Sequence, residues 1–577
     1  MEQRMNIAAP CLRPALLAVL LLAGCRDAGP GRPGAAPAAA SGPESASADY
    51  YGTLEPFAAE AVYFVLTDRF VNGDPDNDQR QQGGAHPSFD IALPPCEGVA
   101  ANIGYLGGDF RGLLDHAGHI AGMGFTAVWI TPVVDNPDQA FTGGDPITCS
   151  SFLSDRGKAG YHGYWGMNFH RLDEHLPSPG LGLAELTAGL RGHGLKTMLD
   201  IVANHSSPAW TMPDRQDGFG QVFGADGGLL ADHGNLPPEQ LDPAGNPLHR
   251  FYNTRPDLAQ LGDFDAGNPE VMAHLVDAYL GWIAQGVDAL RIDTLRHQPL
   301  PFWRDFAARI RERHPGMYML GEAFDHEAGN IAPFTWPENG AISVLDFPLK
   351  ARLVALFTGQ ADDYGSLADA LHLEGGPYHN PYELGTFYDN HDMARMAASD
   401  AGFIDAHNWL FTARGIPVIY YGSEIGFMRG RAEHAGNRNY FGVEGIGQAD
   451  GHPIRDALAR VAKLRKASPA LQRGLQLNVR LAGDEAVFFR VFQHQGLNQT
   501  ALVLLNKGDE ERTIEVREHL EAGAWRDGLD GTVSMLDGRL TAVVPGHGLR
   551  VFLLDAPITR SDTLARLDAL MAGRQRR

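Results

Sequence analysis

The feature that most constrains this chain is a regular exchange, from residue 61 onward, between short apolar runs and stretches with helical spacing. The runs Ala61–Leu66, Phe125–Ile130, Lys196–Val202, Val287–Ile292, Tyr318–Gly321, Ile342–Leu345, Gly385–Tyr388 and Ile416–Tyr420 read as eight strands. Helical patterns fall between most of them, at Leu113–Met123, Leu183–Leu190, Val271–Ile283 and Phe302–Arg313. Parallel strands cannot be joined by a tight turn and need a crossover, so this order predicts parallel strands linked by helices. Eight such units close into a barrel, and the reactive groups of a barrel belong at the C-terminal ends of its strands.

Two departures from the alternation add parts to the barrel. More than 60 residues rich in Gly, Pro and Asp separate the third strand from the helix near Asn268. A loop of that length is rarely structureless inside a compact domain, so it predicts a small inserted domain. After Ala467 the pattern changes to short alternating runs, at Val479–Leu481, Ala486–Phe492, Ala501–Asn506, Thr513–Val516, Thr541–Val544 and Leu549–Leu554. The expected fold is α/β: a (β/α)8 TIM barrel with an inserted domain after strand 3 and a C-terminal antiparallel β-sandwich. The expected boundaries are 49–205 and 268–468 for the barrel, 206–267 for the insert, 469–556 for the β domain and 557–577 for a final helix or tail.

The first 25 residues read as an export leader. Arg4 and Arg13 precede an apolar run, Pro14 to Leu22, too short to span a membrane. Leu22-Ala23-Gly24-Cys25 is similar to a bacterial lipobox, which predicts a lipid anchor on Cys25; the alternative is an ordinary signal peptide that contains a cysteine. Residues 26–48, rich in Ala, Gly, Pro and Ser, fit a flexible tether. The expectation is a protein exported and anchored at the cell envelope, at the outer membrane, or secreted, acting as a monomer and touching the membrane only through that anchor. A net charge of −23 argues against a nucleic-acid partner. Beyond Cys11 and Cys25 only Cys96 and Cys149 remain, and either a disulfide or two free thiols suits them.

Cleaving an acetal between two sugars needs an acid for the leaving oxygen and a carboxylate on the other side of the ring. Four segments place polar groups just after apolar strands: Asp200-Ile-Val-Ala-Asn204-His205, Arg291-Ile-Asp293-Thr-Leu-Arg296-His297, Gly321-Glu322-Ala323 and Asn390-His391-Asp392. Singly, such an Asp is more often a helix cap than a catalyst.

Taken in order, these segments resemble the four signature regions of the alpha-amylase superfamily, glycoside hydrolase family 13. Val62-Tyr-Phe-Val-Leu-Thr-Asp-Arg-Phe70, Gly107-Gly-Asp-Phe-Arg-Gly112, Tyr161-His-Gly-Tyr164, Leu261-Gly-Asp-Phe-Asp265 and Gly415-Ile-Pro-Val-Ile-Tyr-Tyr-Gly422 extend the resemblance over residues 60–555. It implies Asp293 as nucleophile, Glu322 as general acid then base, and Asp392 as the group that binds the reacting sugar's hydroxyls. Arg291 would keep Asp293 ionised, His205 and His391 would donate to the same sugar, and Tyr164 would stack on it. Arg296 and His297 would lie on the leaving-group side, and His162 is either a substrate contact or structural.

The resemblance also implies calcium. One site would use the Asn204 side chain, the Asp263 carboxylate and the His297 carbonyl, tying the insert to the barrel. A second would use Asn72, Asp74, Asn77, Asp78, the Gly107 carbonyl and Asp109; oxygen donors from several loops suit this ion. The bland alternative for Asn72–Asp78 is a solvated Asx-rich turn. Thr294, where enzymes selective for alpha-1,6 links often carry Val, favours alpha-1,4 cleavage. The extra starch-binding domains of cyclodextrin glucanotransferases find no room after residue 555, which favours hydrolysis. The implied activity is endo-hydrolysis of starch, glycogen or maltodextrins, with transglycosylation as the runner-up and a non-catalytic glycan-binding protein on the same fold as the remote alternative.

Overall fold

The computed structural model describes residues 48–80, 82, 88–93, 100–149 and 156–574. The leader, the lipobox cysteine, the tether up to residue 47 and Cys96 lie outside the described residues; Cys149 is disulfide-bonded. Among the described residues no helix is long and apolar enough to cross a membrane.

The eight predicted runs form one parallel sheet: β1 (Val62–Val65), β2 (Ala127–Ile130), β3 (Lys196–Ile201), β4 (Ala289–Ile292), β5 (Tyr318–Gly321), β6 (Ser343–Val344), β7 (Gly385–Thr386) and β8 (Ile416–Tyr420). Their spatial order is β6-β5-β4-β3-β2-β1-β8-β7, so neighbours in sequence are neighbours in space. A parallel bridge between Leu345 and Gly385 joins the two ends and closes the barrel. β1, β2, β4 and β5 are buried at every position, as strands wrapped by helices must be. Inside, Phe64 stacks on Trp129 with ring centroids 3.9 Å apart.

Pairing register decides which polar side chains meet. Asp200 on β3 lies opposite Arg291 on β4, and Ile292 lies opposite Gly321 on β5. Asp293 and Glu322 therefore follow adjacent strand ends, each fixed by a backbone bond to the preceding strand: Asp293 N–H donates to the Ile201 carbonyl at 2.9 Å and Glu322 N–H to the Ile292 carbonyl at 2.8 Å.

The helix expected over Leu113–Met123 is two, Phe110–Asp115 and Ala117–Gly122, because His116 leaves helical geometry (φ −108°, ψ 11°). After β3 the chain pairs His205–Pro208 antiparallel with Leu261–Asp263 and makes a hairpin from Gln221–Phe223 and Leu229–Asp232. In the C-terminal region β9 (Leu475–Ala482), β10 (Glu485–His494), β11 (Leu497–Asn506), β12 (Arg512–Val516), β13 (Gly523–Asp527), β14 (Val533–Leu536), β15 (Leu540–Val544) and β16 (Gly548–Leu554) form an antiparallel sheet ordered β9-β10-β11-β16-β13-β14 and a second pair, β12-β15. The last segment is a helix, Ser561–Gly573, that buries Leu567 and Leu570 and accepts a bond from Tyr50 Oη at Asp568, 2.9 Å.

Candidate active site

At the C-terminal end of the strands lies a cavity of about 450 Å³, walled by Asp293, Glu322, Asp392, His205, His391 and Tyr164 among others. Its floor is organised by Arg291, which is fully buried. Nη1 sits 2.9 Å from both Asp200 Oδ1 and Asp293 Oδ1. Nη2 lies 2.8 Å from Glu322 Oε2, an ion-pair contact without the alignment of a hydrogen bond. One guanidinium thus touches three carboxylates. Asp200 is held further by Trp129 Nε1 at 2.9 Å and Tyr164 Oη at 2.8 Å, both on Oδ2. The chain turns away immediately after Asp293, because Thr294 takes a left-handed conformation (φ 48°).

Burial dominates the electrostatics here. It raises Glu322 above the ordinary carboxylate range, and the charges of Asp392 and Asp293 add to the effect against Arg291. It raises Asp392 too, against Arg438, and pushes Asp200 up to about 7. His205 falls to about 4 through burial, and His162 and His391 fall well below their usual value for the same reason. The imidazoles are therefore neutral near pH 7 and can each donate one N–H.

The predicted residues are distributed as follows. Tyr164 and His391 stack in parallel, centroids 5.2 Å apart, and His162 packs against Tyr164 at 5.6 Å. His162, His205 and His297 all line the cavity. Arg296 turns to the rim, where it pairs with Asp325 at 3.0 Å and donates to the Phe324 carbonyl at 2.6 Å. Several lining residues were not anticipated: Lys158, Glu433 and Arg438 form ion pairs with one another and with Asp392, and Phe324, half exposed, stands two residues after Glu322.

Both implied cation sites have suitable donor sets. Asn204 Nδ2 is 3.4 Å from Asp263 Oδ1, and Asp263 Oδ2 accepts the Asp257 and Leu258 amides. Burial pushes Asp263 up to about 7, as expected of a sunken carboxylate that a cation would stabilise. His297 Nδ1 is 2.9 Å from Asp257 Oδ2, which ties it to the same loop. At the second set, Asp109 accepts the Gly73 and Asp74 amides at 3.1 and 2.7 Å, and Asn72 donates to Asp78 at 2.7 Å. A side chain on Gly107 would strike Asn72 and Asp78 at 2.4 Å. The Oδ1 atoms of Asn72 and Asn77 are buried with no donor. Oxygens left in that state are what a hard cation takes up. Nearby, Asp138, Glu174 and His175 have ligand atoms within 4.8 Å of one another. His175 is raised to about 9, chiefly by its hydrogen bond to Asp138 working against burial, and it contacts the Asn77 carbonyl at 2.8 Å, which makes the group a brace for the loop.

Comparison with known proteins places these features in a family. The model of the alpha-amylase catalytic domain matches residues 64–218 and 245–440, together more than half of the chain. Cyclomaltodextrin glucanotransferase of Thermoanaerobacterium thermosulfurigenes is 26% identical over 522 residues, covering 87% of this chain and 67% of its own. The chain thus spans about two thirds of the length of that relative. An alpha-amylase of Niallia circulans is 25% identical over 531 residues, covering 89% of this chain and 92% of its own. A solved cyclomaltodextrin glucanotransferase, described as the first with a three-domain ABC distribution, aligns with a TM-score of 0.69 at 28% identity over 86% of this chain and 99% of its own.

Proposed function

The chain belongs to the alpha-amylase family of glycoside hydrolases, and from that premise we propose that it cleaves alpha-1,4-glucosidic bonds inside starch, glycogen or maltodextrin chains with retention. The observation that carries this reading is the contact of one guanidinium, Arg291, with both Asp293 and Glu322. Two carboxyl groups that share one such group stand close together, which suits direct attack, about 5–5.5 Å, better than the wider gap that admits a water, about 6.5–9.5 Å.

In the first step Glu322 gives its proton to the glycosidic oxygen as Asp293 attacks the anomeric carbon. The carbon–oxygen bond breaks, the shortened chain leaves as an alcohol, and an ester to Asp293 forms. In the second step Glu322, now a carboxylate, takes a proton from water. The water oxygen bonds to the anomeric carbon and Asp293 leaves as a carboxylate. A raised pKa suits Glu322 to the first role, and the Arg291 guanidinium, 2.9 Å from Asp293, fixes the attacking carboxylate in place. Asp392 and neutral His205 and His391 hold the hydroxyls of the reacting sugar, and Tyr164 offers its ring as a platform. Calcium, when bound by the Asn204–Asp263 and Asn72–Asp109 sets, supplies rigidity to the loops that carry these groups.

A second reading, transfer to a sugar hydroxyl in place of water, draws on Phe324. An exposed aromatic beside the acid suits stacking of an incoming sugar. The three-domain glucanotransferase also removes the size argument against transfer. For location we propose export and lipid anchoring at Cys25. The deciding experiment is a product profile over time from soluble starch and maltoheptaose with protein lacking residues 1–48. Short linear maltooligosaccharides with rising reducing ends establish hydrolysis. Cyclic products, or products longer than the substrate, with few new reducing ends, establish transfer. No turnover sinks both.

A further inference from the structure

Beside the cleavage pair lies a chain of buried charges that the mechanism above does not use. Lys158 comes from the loop after β2. Glu433 and Arg438 bracket a turn after β8, Glu433–Asn437, that is kinked at Gly436 (φ 127°). Lys158 Nζ is 3.0 Å from Glu433 Oε1 and Arg438 Nη1 is 2.9 Å from the same oxygen. Arg438 Nη2 reaches Asp392 Oδ1 at 2.6 Å, and its Nε donates to the His391 carbonyl at 2.9 Å. The side chains of Lys158, Glu433 and Arg438 are 1%, 5% and 8% exposed, whereas Asp392 is 30% exposed and faces the cavity. Asn437 adds a bond to the Asn390 carbonyl at 2.8 Å.

We propose that Lys158 is a positioning residue for Asp392, acting through Glu433 and Arg438. The inference rests on the reading of Asp392 as the group that holds the reacting sugar. Charges alternate along the chain, plus, minus, plus, minus, and each pair is buried enough to matter. Glu433 Oε1 is shared between two cations. Without Lys158, Glu433 has Arg438 as its main partner and competes with Asp392 for that guanidinium. Without the Glu433 charge, Arg438 serves Asp392 alone and Lys158 adds a second positive charge nearby. The two losses must therefore move Asp392 in opposite directions.

The surroundings leave that sign intact. Asp392 faces Arg438, Glu433, Arg291, Asp293 and His391, and Glu322 feels its charge in turn. Glu433 faces Arg438, Lys158 and His434, which together hold it at about 2 despite burial. Arg438 also meets Tyr161. Lys158 and Glu433 can each be neutralised without touching the cleavage pair, Arg291 or Asp392 itself.

The test is the pH dependence of kcat/KM on maltoheptaose for wild type, Lys158→Met, Lys158→Arg and Glu433→Gln, with melting temperatures alongside. Lys158→Met should shift the acidic limb upward by about one pH unit, Glu433→Gln should shift it downward, and Lys158→Arg should restore the wild-type limb. If both variants melt earlier while their limbs stay in place, the cluster is only a structural brace and the proposal fails. If Lys158→Met instead raises KM or changes product length with an unmoved limb, Lys158 touches sugar directly and the proposal also fails. The near-isosteric Glu433→Gln keeps the sign test available should Lys158→Met not fold. Absence of turnover in the wild type sinks the function and this inference together, whereas an active wild type with unmoved limbs sinks the inference alone.

Discussion

Arg291 and Asp200 form an ion pair whose two side chains have no solvent exposure at all. Asp200 does not line the cavity; it fixes the guanidinium that does the reaching. Replacing Asp200 with Ala leaves a buried cation short of a partner and should cost about 3–5 kcal/mol of stability, read by denaturant melts. Asp200→Asn keeps the shape and should fold, yet kcat should fall because Arg291 loses one of the three carboxylates that fix it.

Variants of the cleavage pair should separate by leaving group. Asp293→Asn should lower kcat by about 10⁴-fold or more on every substrate. Glu322→Gln should be nearly as damaging on maltoheptaose. On maltosyl fluoride, whose leaving group needs no proton, its first step should survive. Single-turnover release of fluoride measures this; equal losses on both substrates would remove Glu322 from the acid role.

The pH profile should be bell-shaped. In the proposed mechanism the first step needs Glu322 protonated, and burial raises its pKa above the usual carboxylate range, so activity should extend to neutral pH and fall as Glu322 ionises. The same mechanism needs Asp392 ionised, and burial raises that group as well, so the acidic limb should sit higher than for an exposed aspartate. Glu322→Gln should abolish the alkaline limb. The limbs belong to the coupled carboxylates jointly.

Calcium should be a stabiliser rather than a reactant. Chelation should lower the melting temperature by several degrees, and added calcium should restore it better than magnesium, which demands tighter octahedral geometry. Asp109→Ala should melt early and respond less to the chelator, since Asp109 anchors the Gly73 and Asp74 amides.

His547 joins the C-terminal domain to the barrel helix Asp400–Thr412. Its Nδ1 is 2.7 Å from Asp405 and its Nε2 3.0 Å from Asp509. The bond to Asp405 is the main cause that raises His547 to about 9. A raised histidine stabilises fully below its unfolded value, about 6.5, and the contribution is lost as pH rises through about 9. His547→Ala should cost about 2 kcal/mol at pH 7, and that difference from wild type should shrink by pH 10.

Much of the barrel was legible because a strand buried on both faces must be a continuous apolar run. Tyr318–Gly321 and Ile416–Tyr420 match their predicted limits, whereas β6 and β7 are shorter than their apolar runs, since Leu345 makes only a single bridge and Phe387 and Tyr388 belong to the loop carrying Asn390. β13 and β14 escaped notice; β14 is an edge strand whose Val533, Ser534 and Met535 are exposed, so it carries no alternation. The carboxylates at strand ends could be found because each follows its own apolar run. Lys158 and Glu433 could not, since their pairing joins residues 275 apart, and Arg438 stands in a turn with no pattern of its own.

Closure through the Leu345–Gly385 bridge divides the wall of the cavity into two kinds of construction. On one side Asp293 and Glu322 take their backbone positions from amide ladders and share one buried arginine. On the other, past the two-residue strand β7, Asp392 is held by side-chain ions, which titrate. A lineage could move its working pH by exchanging residues at 158 and 433 while its cleavage geometry stayed still. On the role proposed for Lys158, bond breaking and working pH are separable traits in this architecture.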